Sequence, residues 1–177
     1  MVTGIVQLAL QICDQTEYRV PGTCRSCHGR LSGYDTRLKR FAILVTEDGD
    51  KRINVILHRA YCRDCGRIWP PGGPFYPGSR IGSPVVDLCR SLSETMPSGQ
   101  VATRLNQMGV RIDRWSVHSY CKTPLSTPPT INVFDMKIPI SIVSLSSLSE
   151  SRDHSGKISG DDVLAACSYP FGDRSQP

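Results

Sequence analysis

Two cysteine pairs constrain this chain more than any other feature: Cys24-x-x-Cys27 and Cys62-x-x-Cys65. A CxxC pair is a tight turn that presents two thiolates. Two such knuckles supply the four tetrahedral ligands of a closed metal site. A filled coordination sphere leaves no open position, so the expected ion is structural Zn2+. The 34 residues between the pairs exceed the gap of a compact zinc finger. Something must therefore bring the two ends back together. Leu38–Thr46 and Lys51–Tyr61 can do so, being rich in β-branched and aromatic residues, with Ile53, Val55, Leu57 and Tyr61 on one face at period two. Between them, Glu47-Asp48-Gly49-Asp50 carries the Asp-Gly signal of a hairpin turn. Residues 21–69 thus read as a small β zinc ribbon, a unit with too little core to fold without its ion. Gly66, after the second pair, suits a turn that needs positive φ.

Other readings of the cysteines are reduced buried thiols or a regulatory disulfide. Cys24-Arg-Ser-Cys27-His28 also matches the short motif of c-type haem attachment, which leaves the second pair unexplained. Cys13, Cys89, Cys121 and Cys167 have no paired spacing and read as ordinary thiols. His28 reads as a surface residue and His58 as a structural strand histidine.

A chain of 177 residues makes one ordinary domain or two small ones. It holds no apolar run of the ~18 residues that a membrane helix needs. Residues 1–13 are apolar but lack a preceding basic residue and a cleavage pattern, which argues against a secretory signal. The expected setting is the cytoplasm, where metal binding is a better use of eight cysteines than a disulfide framework. Charge is concentrated in the middle. Residues 19–122 hold 17 Lys and Arg against 8 Asp and Glu, while both flanking segments are net negative. A basic compact segment suits a polyanion partner, and equally a solvated surface.

Residues 1–20 form an N-terminal segment whose pattern fits a helix or a strand. Residues 70–82 are a Pro/Gly linker. Residues 83–122 switch to helical period. Ser83 is the expected N-cap, with Pro84 at the first helical position. Val85, Leu88, Cys89, Leu92 and Met96 then mark an apolar stripe ended by Pro97. Ser98 caps a second helix, with Val101, Ala102, Leu105 and Met108 inside and Gly109 at its C-terminal turn. Asp113 caps a third helix through about Lys122, with Val117, Tyr120 and Cys121 inward and Trp115 a further candidate for that face. Three short helices, the last two joined by a glycine-started turn, predict a helix-turn-helix domain. The fold class is α+β: a ribbon, then a three-helix bundle. Residues 123–177 form a Ser- and Pro-rich tail, in which Ile131–Val143 can supply one or two strands and the last ~30 residues are expected to be poorly ordered.

A helix-turn-helix reads the major groove of double-stranded DNA with residues near the start of its third element. Here those are Arg114, Ser116, His118 and Ser119, with Lys122 near the backbone. Arg104 and Arg111 suit phosphate contacts, and Arg80 in the linker suits a minor-groove arm. A plain three-helix bundle that binds another protein fits the same pattern.

The order of parts resembles the N-terminal region of prokaryotic insertion-sequence transposases of the zinc-ribbon type. Tyr61-Cys-Arg-Asp-Cys-Gly-Arg67 and Pro77-Gly-Ser-Arg-Ile-Gly-Ser-Pro-Val-Val86 carry the resemblance, which covers residues 19–122. It implies recognition of an element's terminal inverted repeats by this region. In the family, a ribonuclease-H-like domain with three acidic residues and Mg2+ then cuts and joins strands. Only Asp135, on an expected strand, matches the first of those acids; Glu150, Asp153, Asp161, Asp162 and Asp173 have no such context. The chain therefore reads as a non-catalytic fragment or derivative, with residues 123–177 a remnant of the catalytic part. A standalone zinc-ribbon transcription regulator and a protein-interaction adaptor are the other readings. Nothing in the sequence opposes a homo-oligomer or association with the nucleoid.

Overall fold

The computed structural model describes residues 1–151 and 156–168. The fold is α+β. Its elements in order are α1 (Val2–Gln11), β1 (Glu17–Arg19), β2 (Leu31–Thr46), β3 (Gly49–Cys62), β4 (Ile68–Trp69), α2 (Ser83–Ser93), α3 (Ser98–Gln107), α4 (Arg114–Lys122), β5 (Thr130–Val133), β6 (Met136–Pro139), α5 (Ile140–Ser151) and α6 (Gly160–Ser168). The main sheet has the order β1-β3-β2, with β4 also on β3; β5 and β6 form a separate hairpin. No described helix is long and apolar enough to cross a membrane.

The β2–β3 hairpin is longer than the sequence predicts. Its antiparallel pairing runs from Thr46↔Gly49 to Leu31↔Cys62, so Glu47 and Asp48 make the turn. At ~3.3 Å per residue, β2 spans about 50 Å. Its two halves meet different surroundings. Near the turn, Phe41, Ala42, Leu44, Ile53 and Val55 are buried in the core. Toward the cysteines, Tyr34, Thr36, Arg37 and Leu38 are exposed. Residues 21–69 are therefore not a self-contained unit, because half of the hairpin shares one core with the helices.

A bulge makes that sharing possible. The register shifts between Arg40 and Ala42, which leaves Phe41 without a cross-strand partner. The extra residue breaks the period-two alternation, so Phe41 and Ala42 are buried in succession. The Phe41 carbonyl accepts from the Gly82 amide at 2.7 Å. A Cβ on Gly82 would stand 2.3 Å from the Phe41 ring, so only glycine fits where the linker enters α2. This explains a one-residue shift from expectation: Gly82, not Ser83, is the N-cap of α2.

The three helices over 83–122 form where the periodicity places them. Pro97 rather than Ser98 occupies the N-cap of α3. Gly109 follows α3 with φ +81°, and the Asp113 carboxylate accepts from the Ser116 amide to cap α4. The turn between α3 and α4 is tied to the free edge of β2. The Val45 amide donates to the Gly109 carbonyl, and the Arg111 amide to the Ile43 carbonyl, each at 2.8 Å. The Gln7 side chain of α1 donates to the Val45 carbonyl at 2.9 Å. α2 is buried over most of its length.

In the tail, β5 and β6 form where one or two strands are expected, and α5 and α6 depart from expectation. Of residues 123–177, those described form β5, β6, α5 and α6. α5 packs on α1 and α6 on α5 and β1, and Ile138, Ile142, Leu145 and Val163 are buried in the common core. Serine-richness misled because short hydroxyls can be satisfied inside a helix. Ser146 and Ser147 donate to the Val143 carbonyl, and Ser149 to that of Ser146. Ser159 and Asp162 bond reciprocally at the start of α6, a capping box. Asp135 is not within a strand: Phe134 and Asp135, at φ +47° and +60°, make the exposed β5–β6 turn. Asp153 and Asp173 lie outside the described residues.

If this segment is integral to the core, Leu145→Ala leaves a cavity and costs about 2–5 kcal/mol in denaturant unfolding. A change under about 0.5 kcal/mol would show that α5 is not packed there.

Candidate metal centre and helical surface

The open end of the hairpin brings all four predicted cysteines together. The sulfurs of Cys24, Cys27, Cys62 and Cys65 all lie within 4.8 Å of one another. Cys24 and Cys65 are 3.7 Å apart, and Cys27 and Cys62 3.4 Å. Disulfides, at ~2.05 Å, are far shorter. A tetrahedral ion with ~2.3 Å metal–sulfur bonds has sulfur–sulfur edges of about 3.8 Å. The group can therefore hold a metal ion with little rearrangement. Among the described residues it is the one such cluster of three or more ligand-type side chains.

The two knuckles share a backbone design. The His28 amide donates to the Cys24 carbonyl, and the Gly66 amide to the Cys62 carbonyl, each at 2.9 Å. The Cys24 amide donates to Gly29, and the Cys62 amide to Arg67. The residue after each second cysteine must turn left-handed: Gly66 has φ +70° and His28 φ +58°. His28 is thus an exposed turn residue, and its place after Cys27 is set by backbone geometry. The Arg63 amide donates to the Arg30 carbonyl and links one knuckle to the other.

Electrostatics favour a cation here. Burial raises the Cys24 thiol, but the Cys27 and Ser26 amides and the Trp69 indole, which donates at 3.3 Å, bring it down to about 6. For Cys27, the Gly29 amide pulls down. The Cys62, Cys65 and Cys24 sulfurs and burial outweigh it and push the thiol up to about 12. Without a metal, Cys24 loses its proton readily while Cys27 holds its own. A divalent cation displaces such protons, so its binding weakens as pH falls.

The residues expected to meet DNA are distributed unevenly. Arg114, His118, Ser119 and Lys122 are exposed on α4, whose Val117 is buried. The Ser116 hydroxyl donates to the Asp113 carboxylate at 2.7 Å and so belongs to the cap. Arg111 pairs with Asp50 at the hairpin turn at 2.9 Å. Arg104 points toward Met136 of β6, its guanidinium 3.2 Å from the sulfur. Arg80 is exposed and lines a cleft together with Arg111.

Two residues escape the sequence pattern. Trp115, a candidate for the inner face, is 70% exposed, with the Arg114 guanidinium 4.9 Å from its ring centroid. Arg40 reaches the same cleft as Arg80. Its place depends on the Phe41 bulge, which strand alternation does not forecast. Basic charge is concentrated in the hairpin region: residues 19–69 hold eleven Lys and Arg against five Asp and Glu.

Stripping the metal with a chelator should raise amide exchange over Cys24–Arg30 and Cys62–Trp69. Phe41–Val45 and Ile53–Val55, held by the core, should stay protected; exchange rising equally there would refute the division of the hairpin. His28→Gly should keep the metal stoichiometry and gain up to about 1 kcal/mol by relieving the left-handed backbone. Loss of metal in this variant would make His28 a ligand.

Comparison with known protein families, curated proteins and solved structures finds no match to this chain.

Proposed function

We propose that this chain is a zinc-stabilised, sequence-specific binding module for double-stranded DNA, of the transposase type, acting by binding and without catalysis. The observation that carries the reading is the open face of α4. Arg114, Trp115, His118 and Lys122 are exposed along it, while Val117 anchors its other side in the core. In this reading α3, the Gly109 turn and α4 are the helix-turn-helix, and α4 enters the major groove. Arg114 donates its fork to guanine, His118 and Ser119 meet base edges, and Lys122 meets phosphate. Asp113 and Ser116 hold the start of α4, and Arg111 fixes the turn against the hairpin. The basic hairpin region steers the polyanion.

The ion is Zn2+, which four thiolates at tetrahedral spacing select. Its role is structural, because the four thiolates would leave it no open position. Asp135 stands at the exposed β5–β6 turn, and this reading gives it no strand-cutting role. The setting is the cytoplasm, on nucleoid DNA.

An exposed tryptophan is also the kind of anchor that protein interfaces use. Trp115 therefore supports a second reading, a protein-interaction adaptor.

The two are separated by salt. The DNA module binds a random-sequence duplex with an affinity that falls steeply between 50 and 200 mM salt, roughly 10³-fold if about six phosphates are met. Arg114→Ala together with Lys122→Ala weakens it about tenfold or more without unfolding. Absence of duplex binding at low salt would shift the reading to the adaptor.

A further inference from the structure

A cleft of about 560 Å³ opens between β2, the linker end and the α3–α4 region. Arg40, Arg80, Arg111, Asp113, Asn106 and Tyr120 supply its polar wall. Ala42, Val85 and Val110, all buried, form an apolar floor. Its charges fall into two sets. Arg111 is committed to Asp50 and to the Asn106 side-chain oxygen, the latter at 3.3 Å. Asp113 is committed to capping α4. Arg40 and Arg80, in contrast, have no side-chain partner among the described residues. They stand on different elements and line the same concavity, where Arg40, Arg80 and Arg111 outnumber the one lining carboxylate, Asp113.

Two uncommitted guanidiniums over one cleft ask for an anion. Their planar forks match phosphate oxygens in a bidentate way, which an ammonium cannot do. The volume is several times that of a bare phosphate and lies within the range of small-ligand sites. The apolar floor suits a carbon-bearing group attached to the phosphate. Asp113 and Ser116 place the cleft beside the N-terminal end of α4, so a strand crossing that helix continues into it.

We propose, resting on the DNA-binding reading above, that this cleft is a phosphodiester clamp. Arg40 and Arg80 grip the backbone phosphate of a strand whose sugar lies over Ala42, Val85 and Val110. The clamp fixes the register of the duplex on α4 and reads no base. It also gives the hairpin a direct share in DNA binding, because Arg40 sits on β2 immediately before the bulge.

The test uses the full chain with its metal and two probes: a random-sequence duplex and a 5′-phosphorylated thymidine dinucleotide. Arg40→Ala combined with Arg80→Ala should cut dinucleotide affinity at least about tenfold. For duplex, the slope of log affinity against log salt should become shallower by about two, roughly 0.9 for each phosphate lost. Trp115→Ala should weaken the duplex alone. Should the alanine pair unfold, the Arg40→Lys, Arg80→Lys pair keeps the charge, loses the fork and is judged on the dinucleotide. Dinucleotide binding without duplex binding supports the clamp and removes the DNA-binding reading. Duplex binding with an unchanged slope in the double variant overturns the clamp and leaves that reading in place. Failure to bind either probe overturns both.

Discussion

The backbone ladder between β2 and β3 runs from Thr46–Gly49 at one end to Leu31–Cys62 at the other. One end closes on buried apolar side chains, the other on four cysteine sulfurs. A hairpin this long would fray if only one end were fastened, because each exposed pair gains little over its hydration in water. The four-cysteine cluster, which can hold a metal ion, and the helical core are therefore complementary fastenings of one element. The bulge at Phe41 sits where the two regimes meet, and it turns two successive side chains inward. The Gly82–Phe41 contact then fixes where α2 begins, and the 109–111 turn covers the β2 edge that would otherwise invite pairing with another chain.

A second constraint lies inside the core. Asp87 of α2 is 2% exposed, a costly place for a carboxylate unless its oxygens are bonded. The Tyr76 hydroxyl donates to one oxygen and the Ser141 hydroxyl to the other, the latter at 3.1 Å. Tyr76 belongs to the Pro/Gly linker and Ser141 to α5. One buried carboxyl group thus ties together three segments that the sequence separates. It explains why neither the linker nor the tail behaves as a spacer: each supplies a donor that the central helix requires. Arg90 does similar work at the other end of α2, donating to the Thr123 and Leu125 carbonyls just beyond α4.

Legibility follows the range of the interaction. Patterns that act over a few residues were readable. Asp113 caps α4, Gly109 turns left-handed after α3, Pro97 marks the break between α2 and α3, and the CxxC spacing names the four clustered cysteines. The N-caps of α2 and α3 each lie one residue early; at α2 this is because Gly82 answers to a ring from β2 and not to its own neighbours. α5 was hidden because its serines bond along their own helix, leaving a composition that resembles a solvated segment. Trp115 was misplaced because helical period alone does not say which side of a short helix the core lies on.

The sequence by itself determined the local chemistry: two cysteine knuckles, a hairpin between them, three short helices, the last capped by Asp113, and a basic middle. These depend on spacing and on side-chain type. Only the tertiary structure decided that the hairpin and helices share one core, that the C-terminal helices complete it, and that Arg40 and Arg80 face one cleft. Those facts rest on pairings between residues tens of positions apart, where a bulge, a buried carboxylate and one glycine set the approach. No periodicity records such pairings, because each is fixed by shape and charge in three dimensions and leaves no regular trace along the chain.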